Sequence, residues 1–304
     1  MKKLLFVGAG GVGGYFGARL IEAGVDVTFL VRPARAAVLV AHGLSVSSPH
    51  GDLHLPAVRC VTRDTVGADY DLVLLAPKAY DLDDALDAVA PAVGPSTFVM
   101  PLLNGLAHLD ILDARFGAHR VLGGVAQVVA TLAADGSIRH MNPIHTLTAG
   151  GRDEATQQAA AAFIALCEPA RFNKVLATDI VAALWSKWTF LATLAGITTL
   201  MHGSIGQVAN TTHGDWLVRR LYAECVAVAE RCGFATSEAA QAVSLKRLTE
   251  PGSDLTASML RDLQSGLRTE HEHVLGELLR RAQQHGVDAP VLAAAHCHLQ
   301  VVGR

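Results

Sequence analysis

The chain has 304 residues, 51% hydrophobic and 17% charged, with a formal net charge of −3. That is enough apolar material for two compact domains, and it excludes a disordered chain. The weakly acidic balance leaves no basic footprint for nucleic acid or anionic lipid, and the scattered cysteines 60, 167, 225, 232 and 297 lack metal-type spacing and suit free thiols in a reducing cytoplasm.

The opening MKKLLFVGAGG places two lysines before an apolar stretch, but residues 4–7 are too short a run for a signal-peptide core. No charge-free apolar run of about 18 residues follows, so no membrane span is expected. Residues 3–7 read instead as a strand buried on both faces and ending in glycines. A helix over 12–23 stops at Gly24, and 27–31 is a second strand. Residues 71–76 and 97–102 are further strands, with a helix through Leu82, Leu86 and Val89 between them, ended by Pro91. Parallel strands with helical crossovers predict an α/β fold with an open, doubly wound sheet of Rossmann type. Residues 121–132 and 137–149 read as a hairpin turning at Asp135-Gly136.

Beyond about Val175 no convincing strand remains, only apolar positions at helical spacing. The predicted organisation is a dinucleotide-binding domain over 1–175 and an all-helical domain over 176–304. Thr178 or Asp179 can cap the first long helix, residues 254–281 read as a second, and glycines 196, 203, 206, 233, 252 and 286 punctuate the segment.

Gly8, Gly10 and Gly13 form G-x-G-x-x-G between a strand and a helix. The first glycine permits a tight turn, the second lets a pyrophosphate approach the backbone, and the third lets helix and strand pack closely. The helix N-terminus then offers unpaired N–H groups to the phosphates. An NAD-binding chain would carry an acid at the end of the second strand, whereas here the sequence is Phe29-Leu30-Val31-Arg32. Arginine cannot accept from a ribose hydroxyl but can pair with a 2′-phosphate, which favours NADPH.

Lys187 has Ala183, Leu184, Phe190 and Leu191 as helical neighbours. Desolvation on such a stripe lowers a lysine's pKa and suits it to proton donation; the plainer reading is a snorkelling surface lysine. On a helix from 258 to 282, Glu270 shares a stripe with Leu263, Leu267, Val274 and Leu278, while Glu272 faces outward. A carboxylate there needs a partner, in a cleft or in a structural ion pair. Asn104-Gly105 and Lys78 each follow a predicted strand end, where ligands bind in open α/β sheets, although Asn-Gly is also a common turn pair. His271 and His273 lie two apart on a helix and point away from each other, so they are not read as a metal pair.

These segments together resemble the ketopantoate reductase (2-dehydropantoate 2-reductase) family over nearly the whole chain: GAGGVGG, LVR, PKAYD, LLNG, LWSKW, SMLRDL with GLRTEHEHVLG, and HGVDAPV. The resemblance implies a cytoplasmic reductase of a 2-oxo acid, 2-dehydropantoate to pantoate in pantothenate biosynthesis, with NADPH and substrate meeting in the cleft between two domains. It implies Lys187 as general acid, Glu270 and Ser258 as substrate contacts, and Asn104 as the residue ordering substrate, cofactor and lysine. Gly8, Gly10, Gly11, Gly13, Arg32 and Lys78 fall on the cofactor-binding positions. Where the family carries asparagines four and eight residues after the lysine, this chain has Leu191 and Ala195, and Asp81 replaces a common glutamine. The substrate-reading face is therefore altered, which leaves a more apolar 2-oxo acid as an alternative substrate. A non-catalytic NADP sensor is the alternative of another class, disfavoured by the joint presence of Lys187, Glu270 and Asn104. Helical second domains often pair, which leaves a homodimer open, although the sequence does not give the oligomeric state.

Overall fold

The computed structural model describes residues 1–303 and divides into two compact units. Unit 1 comprises Met1–Leu103 and His108–Ala183; unit 2 comprises Asn104–Ala107 and Leu184–Arg304. The division is not a single cut, because the four residues from Asn104 belong with the C-terminal helices.

Unit 1 runs β1 (Lys3–Val7), α1 (Gly11–Glu22), β2 (Asp26–Leu30), α2 (Pro33–His42), β3 (Leu44–Ser47), β4 (Leu53–Leu55), β5 (Arg59–Val61), β6 (Leu72–Leu75), α3 (Leu82–Val89), β7 (Phe98–Pro101), α4 (Ala107–Phe116), β8 (Gly123–Leu132), β9 (Ile138–Gly150), α5 (Glu154–Leu166) and β10 (Asn173–Leu176). Its first sheet has the order β5-β2-β1-β6-β7, and every pairing is parallel. This is the Rossmann-type doubly wound arrangement, with the chain reversing direction across the sheet beside β1. Residues 4–7 of β1 are buried because helices cover both faces of such a sheet.

A second sheet was legible only as its hairpin. It has the order β10-β9-β3-β4, with β8 antiparallel to β9. The predicted turn is present: Gly136 has φ +84°, and the Asp135 carboxylate accepts from the Ser137 amide at 2.9 Å. Strands β3, β4, β5 and β10 are three or four residues long, too short for periodicity to reveal. Helix α1 lies under both sheets, which buries Gly13 to Leu20 continuously.

Unit 2 is helical throughout among the described residues: most of α6 (Ile180–Met201), then α7 (Ile205–Ala209), α8 (Gly214–Arg231), α9 (Glu238–Leu248), α10 (Ser258–Gln264), α11 (Glu277–Gln284) and α12 (Pro290–Val302). Asp179 caps α6, accepting from the Ala182 amide at 2.9 Å. Two expectations need correction. Gly196 does not punctuate α6; a Cβ there would stand 2.8 Å from Leu221 on α8, so this glycine permits close helix packing. Nor is there one helix over 254–281. The chain breaks at Gly266 (φ +66°) and resumes through a π-helical turn, Glu272–Gly276, that leads into α11. Leu267, placed by periodicity on the inner stripe, is 57% exposed as a result.

By length and composition alone α6 is a helix that could cross a membrane, although Lys187 interrupts its apolar run. Most of it is buried in the protein. Thr189, Thr193, Thr198 and Thr199 are buried along it, their hydroxyls donating to carbonyls three or four residues back, which satisfies polar groups on a buried helix.

Candidate cofactor and active site

In unit 1 the glycines of the first turn have the geometry that the three roles of a dinucleotide loop require. Gly8 sits at φ +98°, where other residues are strained. A Cβ on Gly10 would meet nothing within 4 Å, so the backbone there is open to approach. A Cβ on Gly13 would lie 2.2 Å from the Gly8 carbonyl oxygen, so only glycine lets α1 pack this tightly on the turn. Gly11 has a further reason to be glycine, because its Cβ would collide with the Ala130 carbonyl of β8 at 2.3 Å. An open backbone at the N-terminus of the 12-residue α1 fits a pyrophosphate.

Arg32 leaves the end of β2 as the residue before α2, and its side chain is 64% exposed. Its Nη2 donates to Asp81 Oδ1 at 2.9 Å, and the carboxylates of Asp81 and Asp84 raise its pKa further above the ordinary arginine value. Lys78 is half-buried, just after β6, and precedes the short turn that carries Asp81.

Unit 2 holds the residues singled out for proton transfer and substrate. Lys187, near the middle of α6, is half-buried, and burial pushes its pKa down to about 8, opposed by the attraction of Glu270. That brings the two groups into electrostatic contact although 82 residues lie between them in the chain. Glu270 is 9% exposed and lies just before the π-helical turn. Because the helix assumed from the sequence is interrupted, Glu270 reaches the interior through this local geometry and not through a continuous stripe. Such π turns recur at functional sites, since each frees a backbone carbonyl from the usual ladder. Here the Trp188 indole donates to the Val274 carbonyl at 2.9 Å, fastening the turn to the residue beside Lys187.

Asn104 joins this group from far away in sequence. His273, within the π turn, hydrogen-bonds the Asn104 backbone, and a Cβ on Gly105 would come 3.1 Å from the His273 carbonyl oxygen. Burial lowers the His273 pKa, with Glu270 opposing. Lys187, Glu270 and Asn104 thus belong to one unit, linked by Trp188 and His273. Trp188 was not singled out in the sequence, and His273 was weighed there only as one of a metal pair. Its place three residues after Glu270, on a similar helical face, is the signal that links it to this group. His271 turns elsewhere: with His296 it flanks the exposed carboxylate of Glu272, at 3.4 and 3.1 Å.

Ser258 opens α10 and is half-buried. The preceding amide, Ala257, reaches Thr198 Oγ1 of α6 at 3.4 Å, which ties this end of α10 to the lysine helix. Of the two substituted positions on α6, Leu191 keeps accessible surface one turn beyond Lys187, whereas Ala195 is enclosed at 1% exposure.

Two family profiles match most of the chain. Residues 4–154 match ketopantoate reductase PanE/ApbA, and residues 179–302 match its C-terminal domain. An uncharacterized oxidoreductase of Bacillus subtilis (strain 168), YkpB, is 33% identical over 299 residues, 98% of each chain. A 2-dehydropantoate 2-reductase of Archaeoglobus fulgidus is 27% identical over 96% of this chain and 94% of that protein. The crystal structure of 2-dehydropantoate 2-reductase from Geobacter metallireducens GS-15, 25% identical, superposes with a TM-score of 0.89 over 98% of this chain and 99% of that one.

Proposed function

The chain belongs to the ketopantoate reductase PanE/ApbA family of oxidoreductases, and from that premise we propose that it reduces a 2-oxo acid to the 2-hydroxy acid with NADPH. The observation that carries the proposal is Lys187, held near pKa 8 with Glu270 beside it. Unit 1 holds the cofactor: Gly8, Gly10, Gly11 and Gly13 present backbone to the pyrophosphate, while Arg32 and Lys78 supply cations. When bound, the reduced nicotinamide supplies hydride to the carbonyl carbon. The Nζ of Lys187 donates its proton to the carbonyl oxygen as negative charge develops there. At pH 7 a group of pKa about 8 is still mostly protonated, yet releases its proton far more readily than an ordinary lysine. Glu270 favours the protonated lysine and accepts from substrate hydroxyls, Ser258 adds a hydroxyl contact, and Asn104 orders the group.

2-Dehydropantoate is the first substrate to test. Leu191 favours a second reading, since leucine offers no hydrogen bond where an asparagine would. On that reading the preferred substrate is a 2-oxo acid with an apolar tail of similar size. NADPH oxidation with a panel of 2-oxo acids separates the two readings. Turnover of 2-dehydropantoate a hundredfold or more above its analogue lacking the terminal hydroxyl establishes the first. Preference for the analogue establishes the second, and no turnover with any 2-oxo acid overturns the assignment.

A further inference from the structure

The cation at the end of β2 is already engaged. Arg32 Nη2 lies 2.9 Å from Asp81 Oδ1 and 3.5 Å from Asp84 Oδ2, and Arg63 Nη2 lies 3.4 Å from Asp84 Oδ1. Two guanidinium groups therefore face two carboxylates, and the place where a 2′-phosphate would meet Arg32 carries little net positive charge. Asp81 is the nearer of the two carboxylates to Arg32. A glutamine can donate to a phosphate oxygen without repelling it, whereas an ionised carboxylate only accepts. The pairing is not explained by a demand of the fold. Arg32 is 64% exposed and Asp81 34%, and ion pairs so open to water contribute little to stability. The consequence falls on the ligand.

We infer that Asp81 sets the cofactor preference of this chain, by occupying Arg32 and by placing a negative charge where a 2′-phosphate would bind, so that NADH is accepted alongside NADPH. Two effects act in the same direction. The phosphate of NADPH has to take the guanidinium from a carboxylate, and it then sits close to that carboxylate, with like charges facing each other. The 2′-hydroxyl of NADH meets neither obstacle. It is a donor, and Asp81 and Asp84 are acceptors, the role that an acid at the end of the second strand fills in NAD-binding chains.

The inference rests on the reading of the chain as a nicotinamide-dependent reductase. The test is titration of the full chain with NADPH and with NADH, followed by the fluorescence of the bound reduced nicotinamide, for wild type, Asp81→Gln and the nearly isosteric Asp81→Asn. The wild type is expected to bind the two dinucleotides within about tenfold of each other. Both variants should tighten NADPH by about tenfold and leave NADH the same or weaker. A wild type that prefers NADPH by about a hundredfold or more overturns the inference alone, as does a preference unmoved in both variants. If neither dinucleotide binds the wild type, the functional reading falls, and this inference falls with it.

Discussion

The two units offer different material for a site. Unit 1 offers backbone: an open turn at Gly10, a left-handed Gly8 and a glycine contact at Gly13, all within six residues of sequence. Unit 2 offers side chains, Lys187, Glu270 and His273, with the Asn104 turn, drawn from segments far apart in the chain. A backbone site is specified by glycines at fixed spacing and can be read locally. A side-chain site depends on how distant elements pack, so its members are visible in sequence while their arrangement is not.

The comparison can be broken first at Lys187. If unit 2 supplies chemistry and unit 1 binding, Lys187→Ala should lower kcat by about 10²–10⁴-fold while NADPH still binds with near wild-type affinity. A change confined to KM would mean that the lysine only holds the substrate. In the wild type, the depressed pKa places proton donation below about pH 8, so kcat should fall as pH rises through that value. A kcat level to pH 10 would remove Lys187 as the donor.

Gly13→Ala tests the other half. A methyl group 2.2 Å from the Gly8 carbonyl forces α1 off the turn. Overpacking of this kind costs about 1–3 kcal/mol in stability, and NADPH affinity should drop by at least about tenfold. Unchanged binding, measured by titration, would show that the loop does not depend on this close approach.

Leu191→Asn sharpens the contrast within unit 2. Placing an amide one turn from Lys187 should raise kcat/KM for 2-dehydropantoate relative to its deoxy analogue by about five- to a hundredfold, the equivalent of about 1–3 kcal/mol for a pairing gained. An unaltered ratio would place Leu191 away from the substrate.

An effect on stability alone is expected from Trp188→Phe, which keeps most of the apolar volume and removes the donor to Val274. A buried carbonyl left without its partner costs about 1–3 kcal/mol, read as a lower denaturation midpoint. Equal stability would mean that the π turn holds itself.

Much of the frame was legible. The strands β1, β2, β6 and β7 are apolar runs bounded by turn residues, the Asp135-Gly136 hairpin carries its own turn chemistry, and Asp179 announces α6. The lysine was legible too, as a charge on an apolar face. What escaped were features without a local signature. The second sheet adds three short strands, β3, β4 and β10, to the long β8–β9 hairpin, and nothing in the sequence of β10 indicates that it lies parallel to β9. The break at Gly266 was lost because helical spacing on either side of Ser265-Gly266 looks continuous, although that dipeptide is itself a turn signal. The association of Asn104 with the C-terminal helices is a tertiary fact, and no spacing rule reaches it.

The pair of indoles beside Lys187 gives the protein an optical property. Trp185 and Trp188 are 2% and 1% exposed, with ring centroids 5.0 Å apart, whereas Trp216 is 63% exposed. Apolar surroundings shift indole emission to shorter wavelength, so the native spectrum is a sum of a blue component from the buried pair and a red one from Trp216. In Trp216→Phe the remaining emission comes entirely from the helix turn that carries the lysine. That variant would therefore signal the integrity of this turn in real time, without any substrate being turned over.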